Sequence, residues 1–403
     1  ELLDIRFNFW FHASFAEFYA MVFYGAIGKL LTTLKMKDAA GLQNSLIQSI
    51  PDLVSNKPIF ELWKLKELIE KQGKSSFFKK NDATQIWDHL QSDDGFNEIK
   101  KSIDVYLEKW GFRCSGELCF FSENYIENPV SFIQMLKVYI SSVNENPNVK
   151  FKLKSRERCQ IQLQANEEIN SKYNFFKASL FKLILSFLVK STMKGVSSRE
   201  RVRLKQAHMY FKFKTLNKLI GKNLKRVGLL SSKEDIFYLE HDEISRILGN
   251  EENDSRFLKE LIDLRKDKVA RSVEKPENLY NFETEFQAGF VDLDLEESES
   301  TLKGLPACGG KVRARAVVLD SIHQIAELEK GDILITKQTD PGWICAFPII
   351  SGLVVERGGM LSHGAIVARE FGIPAVVGIK GITKTIKTGD IIGIDGDNGV
   401  IHV

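Results

Sequence analysis

The sequence predicts an α+β multidomain protein, with a large, mostly α-helical domain followed by a compact α/β domain of about 100 residues. Three observations predict this. Apolar residues before residue 288 recur at helical spacing, and those after 304 alternate or cluster as in short strands. Sixteen of the 28 glycines lie in the last hundred residues, whereas 26 of the 28 phenylalanines lie ahead of them. Finally, 403 residues exceed the ~250–300 at which a single hydrophobic core stops growing.

In the helical part, 1–288, Phe11, Phe15, Phe18 and Val22 repeat every three or four residues. So do Leu62, Leu65, Leu68 and Ile69, and later Phe176, Leu180, Leu183, Ile184 and Phe187. Two lobes meeting near residue 150 are expected. Gly289 to Ser300 then carries five acids and no base. Such a stretch is poor at burying itself, so 289–303 reads as an acidic linker that leaves the following domain mobile. Within 304–403 the period changes. Val312, Ala314, Ala316 and Val318 alternate with Lys311, Arg313 and Arg315, as in a half-buried strand. Further short strands are expected at 332–336, 353–356, 375–378, 391–394 and 400–403. One helix stands among them, 364–371, with Ser362 as N-cap, Gly372 at C′ and Pro374 preventing continuation.

Composition narrows the function class. With 43% apolar and 27% charged residues the balance is that of a soluble globular protein, which excludes collagen-like, disordered and disulfide-scaffold classes. The longest dense apolar run, Leu183 to Val189, is far short of the ~20 residues of a membrane span. No signal-peptide pattern opens the sequence, and five scattered cysteines suit free thiols in a reducing cytoplasm. Cys114 and Cys119 have no second His/Cys pair, so no metal site is expected. Residues 151–230 hold 19 Lys/Arg against 4 Asp/Glu, and 231–303 hold 10 against 20. Adjacent blocks of opposite sign suit solvated or mutually paired helix faces better than a nucleic-acid footprint.

The chemistry concentrates in Glu356-Arg-Gly-Gly-Met-Leu-Ser-His-Gly-Ala-Ile-Val-Ala-Arg-Glu370. It sets His363 between a strand end and the first turn of a helix, with Gly358, Gly359 and Gly364 leaving room for a large ligand and Ser362 beside it. A helix N-terminus offers unpaired N–H groups and the positive end of a dipole, which suit a phosphoryl group. A neutral imidazole is a competent nucleophile near pH 7. No Asp or Glu lies within six residues of His363. These residues alone leave open a capping or core histidine beside a Gly-rich turn. A carrier histidine is expected to be solvent-accessible, and an apolar, fully buried one would exclude that role.

At this point a resemblance emerges. Gly304-Leu-Pro-Ala-Cys-Gly-Gly310, Gly331-Asp-Ile-Leu334, Thr339-Asp-Pro-Gly-Trp343, the unbroken run from Gly358 to Gly378 and Asp395-Gly-Asp-Asn-Gly399 resemble the swivelling phosphohistidine domain of the PEP-utilising enzymes. That family includes PEP synthase, pyruvate phosphate dikinase and rifampicin phosphotransferase. The resemblance implies a β/β/α swivelling domain over 304–403, with catalytic His363 supported by Gly358, Gly359, Ser362 and Gly364. It is weaker at Tyr106 to Glu117, where Arg113 and Glu117 are similar to substrate-side residues, and Phe112 stands where the family usually has histidine. A structural ion pair is the equal alternative for Arg113 and Glu117. Arg199-Glu200 through Asp242-Glu243 resembles the stretch leading into the carrier domain.

The implied activity is that of an ATP-dependent phosphotransferase passing a phosphoryl group through His363 to a small-molecule acceptor. ATP and Mg²⁺ are expected on an ATP-grasp domain or subunit, with none bound by this chain alone, which is expected to be the C-terminal part of such an enzyme. The alternative is a catalytically idle regulatory or scaffolding module.

Overall fold

The computed structural model describes residues 2–143, 145–249, 254–272 and 301–403. The chain divides into two compact units, Glu1–Glu117 with Ser122–Ala207 and Leu295–Val403, and Leu118–Phe121 with His208–Asp294. Residue 150 lies inside a helix of the first unit, and the division falls at 207/208. Most of the expected linker, 289–300, lies outside the described residues.

The helices ahead of the glycine-rich domain are α1 (Leu2–Thr33), α2 (Ala39–Leu46), α3 (Lys57–Lys71), α4 (Ser75–Lys80), α5 (Ala83–Ser92), α6 (Asn97–Trp110), α7 (Pro129–Ser142), α8 (Pro147–Lys172), α9 (Phe175–Arg226), α10 (His241–Leu248) and α11 (Ser255–Ser272). Helical spacing is realised throughout, with different outcomes for burial. Leu62, Leu65 and Ile69 on α3 are buried in a large core with Tyr106, Phe132 and Tyr139. Phe11, Phe15 and Phe18 on α1 are instead 60%, 58% and 67% exposed, and Phe176, Leu183 and Phe187 on α9 are exposed as well. A helical period reports only that a face is apolar, not what covers it. In the second unit, Leu224, Leu230, Ile236, Ile247, Leu258 and Ile262 form a separate small core. Arg265 lies 2.6 Å from Glu243, and Lys266 lies 2.7 Å from Asp235.

The glycine-rich domain contains β1 (Thr301–Lys303), β2 (Leu305–Cys308), β3 (Lys311–Val318), β4 (Ile333–Thr336), β5 (Gly352–Val355), β6 (Ala375–Val377), β7 (Ile391–Asp395) and β8 (Val400–His402), with helices α12 (His363–Phe371) and α13 (Ile382–Thr385). They form one mixed sheet in the order β1-β8-β7-β3-β4-β5-β6-β2. Residues 301–303, expected as the end of the linker, pair antiparallel with β8 instead. The β3-β4-β5-β6 run is parallel, and β7, β8, β1 and β2 join it antiparallel. Period-two alternation divides the parallel strands between two cores. Ile333, Ile335, Val354 and Val376 pack with Ile382 and Ile392, whereas Leu334, Leu353, Val355 and Val377 join the cluster that also contains the α3–α7 side chains. Trp343 and Phe347 are fully buried in that shared cluster. The glycine-rich domain is therefore seated on the helical part by a continuous apolar core.

Polar contacts of α12 complete the seat. Ser362 caps the helix, its hydroxyl accepting from the Ala365 N–H, and Gly372 closes it in the left-handed conformation. At its far end Arg369 Nη1 donates to Asn44 Oδ1 at 3.0 Å and to the Ala307 carbonyl at 3.3 Å. Glu370 accepts from the Ile50 N–H at 2.9 Å and from Asn56 Nδ2 at 3.3 Å. Burial pushes the Glu370 carboxyl up to about 8, against the opposing pull of the Ile50 N–H, Asn56, Arg369 and Arg158. Its folded pKa thus lies above the ordinary 4.5, and the seated state holds a proton that the free carboxyl releases. Stability from this group is full below about pH 4.5 and is lost as pH rises to about 8, at up to ~1.4 kcal/mol per pH unit. Calorimetric melting of Glu370→Gln across pH 5–9 is expected to lack this decline, so the variant melts above the parent at pH 8.5.

Candidate functional site

His363 is the first residue of α12, at the end of the loop leaving β5, so strand, glycine-rich loop and helix N-terminus converge on it as expected. Ligand sites of parallel α/β sheets fall at this carboxyl edge of the strands. At Gly364 the room expected for a ligand is taken by Thr339, whose Oγ1 would lie 2.5 Å from an added Cβ. Gly358 and Gly359 are exposed on the loop, and Ser362 is half-buried. The expectation of an accessible histidine is corrected: His363 is only 3% exposed. The physical reason is the seating described above, which covers the helix start with helical residues that no inspection of 304–403 alone contains. The surroundings are charged, however, not apolar.

Glu200 on α9 is the residue that sequence reading did not assign to the site. Its Oε2 lies 3.7 Å from His363 Nδ1 and accepts from Ser55 Oγ at 2.5 Å, while Arg199 Nη2 donates to Oε1 at 3.1 Å. The available signal was the resemblance at Arg199-Glu200, which carries no local mark of contact with His363. Arg113 and Glu117 lie in the loop after α6 and are brought to the same site. Arg113 Nε is 2.9 Å from Glu117 Oε2, and Arg203 Nε is 4.0 Å from Glu117 Oε1. The ion pair is therefore present, and the charge of Arg113 reaches His363. Phe112, where the resemblance implies histidine, is buried.

Electrostatics assigns protonation states. Burial comes first in pushing the His363 imidazole below its ordinary value; Glu200 opposes it, and Arg203 and Arg113 add to it, so the ring is neutral at pH 7. Burial alone would raise the Glu200 carboxyl, but the contact with His363, the Arg199 guanidinium and the Ser55 hydroxyl outweigh it and hold it well below the usual carboxylate range. Burial pushes Glu117 up to about 7 despite Arg113, with Asp340 adding to the rise and Arg203 opposing it. Several buried polar atoms here have no hydrogen-bond partner: both His363 nitrogens, both Glu117 oxygens, Arg113 Nε and Nη1, Arg199 Nε and Arg203 Nε. The Arg113–Glu117 contact is thus close without being aligned as a hydrogen bond. The site thus combines a neutral imidazole, an ionised carboxylate and arginine donors with unmet capacity. Among the described residues no cluster of three or more His, Cys, Asp or Glu could hold a metal, and no helix is long and apolar enough to cross a membrane.

NMR titration of ring-labelled histidine is expected to find His363 neutral down to below pH 6.5. Glu200→Gln lowers its midpoint further, because the opposing carboxylate is gone while Arg113 and Arg203 remain. The same change is expected to cost about 3–5 kcal/mol in unfolding free energy, since Arg199 is left buried without its carboxylate.

Residues 328–399 match the PEP-utilising enzyme mobile domain, and residues 11–200 match the Rifampicin phosphotransferase fourth domain. Among curated proteins, a Rifampicin phosphotransferase of Bacillus cereus is 31% identical over 320 residues, covering 78% of this chain and 36% of that protein. Another, of Bacillus subtilis, is 28% identical over 375 residues, 92% of this chain and 42% of the relative. A Phosphoenolpyruvate synthase of Aeropyrum pernix is 44% identical over 109 residues, 27% of this chain and 13% of its own length. The chain spans 36% and 42% of the length of the first two relatives.

Proposed function

We propose, on the premise that this chain belongs to the PEP-utilising enzyme family, that it is the carrier and acceptor-side part of a phosphotransferase. His363 takes a phosphoryl group from ATP and passes it to a hydroxyl of a small molecule held by the helical part. ATP and its Mg²⁺ belong to an ATP-grasp domain or subunit, where the metal neutralises phosphate charge. One observation carries the reading: a buried, neutral histidine at a glycine-flanked helix start faces a carboxylate and arginines whose hydrogen-bonding capacity is unmet.

Each side chain then has a role. Glu200, fixed by Ser55 and Arg199 with its Oε2 3.7 Å from Nδ1, favours by its charge the tautomer protonated there, which leaves the Nε2 lone pair to attack phosphorus while the P–O bond to the nucleotide breaks and the leaving oxygen keeps its electron pair. In the second step the acceptor oxygen bonds to phosphorus, the N–P bond breaks, and its electron pair returns to the imidazole. The acceptor proton passes to Glu117, whose carboxyl at about 7 is matched to general-base work at neutral pH. Arg113 and Arg203 offset charge on the transferring oxygens. Exclusion of water from the seated site favours the acceptor over hydrolysis.

Supplied with an ATP-grasp partner and Mg²⁺-ATP labelled in the transferable phosphate, the chain is expected to label on His363. The bond should be labile in acid and persistent in alkali, the reverse of phosphoserine, which separates His363 from Ser362. His363→Gln abolishes labelling. Ser362→Ala weakens it about ten- to thirty-fold, for the ~1–2 kcal/mol of a lost cap or phosphate hydrogen bond. Equal labelling of the His363→Gln variant would make the chain an idle module.

A further inference from the structure

Between β4 and β5 the turn Thr339 to Trp343 touches both halves of the site. Thr339 packs against Gly364, next to His363. Asp340, itself buried, points the other way: its Oδ2 accepts from the Gly116 N–H at 2.8 Å and from Ser115 Oγ at 3.2 Å, while Oδ1 accepts from the N–H of Gly342 at 3.0 Å. A Cβ on Gly342 would lie 2.5 Å from the Cys114 carbonyl carbon and 2.7 Å from the Ser115 nitrogen, so backbone meets backbone. The loop gripped in this way is the one that carries Arg113 and Glu117.

We propose that Asp340 is a positioning residue that holds the 113–117 loop against His363, so that Arg113 and Glu117 are in place only while the glycine-rich domain is seated. Its chemical meaning rests on the carrier reading of His363; the grip itself rests on geometry. One N–H and one hydroxyl of the loop, Gly116 and Ser115, reach one buried carboxylate across a contact with no room for a side chain, and removing such an acceptor leaves those donors unmet. The Asp340 charge also reaches Glu117 and adds to its elevated pKa. Seating the nucleophile and assembling the acceptor pair thereby become one event, which confines transfer to the assembled, dry site.

The protein carries its own probes, since Cys114, Cys308 and Cys345 are buried whereas Cys119 and Cys159 are exposed. Iodoacetamide alkylation, followed residue by residue by mass spectrometry, is expected to accelerate at least tenfold at Cys114 in Asp340→Asn. Gly342→Ala, which pushes the loop away with Asp340 intact, should do the same. Cys308 keeps the parent rate in both. An unchanged Cys114, or Cys308 rising with it, overturns the proposal, the latter because it marks general loosening. A second arm phosphorylates His363 with phosphoramidate and follows loss of the phosphoryl group to water by ³¹P NMR from pH 5 to 9. The parent rate bends near pH 7, where Glu117 titrates, and the bend moves to lower pH or vanishes in Asp340→Asn; an unmoved bend also overturns the proposal. If the parent takes no label at His363, the carrier reading fails, and Cys114 alone decides the grip.

Discussion

A histidine buried among charges is tolerable only when those charges balance one another, because an unmatched ion in a dry interior is expensive. Around His363 the balance is struck by elements distant in sequence: Ser55 from a short turn, Arg199, Glu200 and Arg203 from α9, and Arg113 with Glu117 from the loop after α6. None of them belongs to the glycine-rich domain. They meet because the apolar cluster of Trp343, Phe347, Tyr139 and their neighbours draws the two parts of the unit together. The site's chemistry is in this sense a by-product of a hydrophobic interface, and what weakens the interface disperses the charges.

The elements of the glycine-rich domain were legible because their signals are local. Ser362, Gly372 and Pro374 delimit a helix by capping chemistry that acts within one turn, and α12 begins one residue before the expected start. The alternation in β3 and the apolar runs of β4, β5 and β6 are likewise short-range patterns. Thr301-Leu-Lys303 carries no such pattern, and only its partner β8 makes it a strand.

The site was legible in halves. His363 stood out by its glycines, and Arg113 with Glu117 by resemblance, but nothing local joins them. Glu200 escaped because a carboxylate on a long helix looks like any solvated charge until the fold supplies its neighbours. Burial of His363 escaped for the same reason. Conversely, the phenylalanine stripes of α1 and α9 had the period of a core face, yet several of their rings are exposed. Periodicity encodes amphipathicity; partnership is a long-range property.

The antiparallel pairing of β1 with β8 has a consequence of a different kind. Thr301 stands opposite His402 in the register, so the strand that enters the glycine-rich sheet and the strand that completes it run side by side at one edge. Paired residues of such a ladder lie only about 5 Å apart. A sheet whose points of entry and exit lie together can be closed with a short loop and reopened elsewhere without rethreading, while the face it shares with the helical part stays covered.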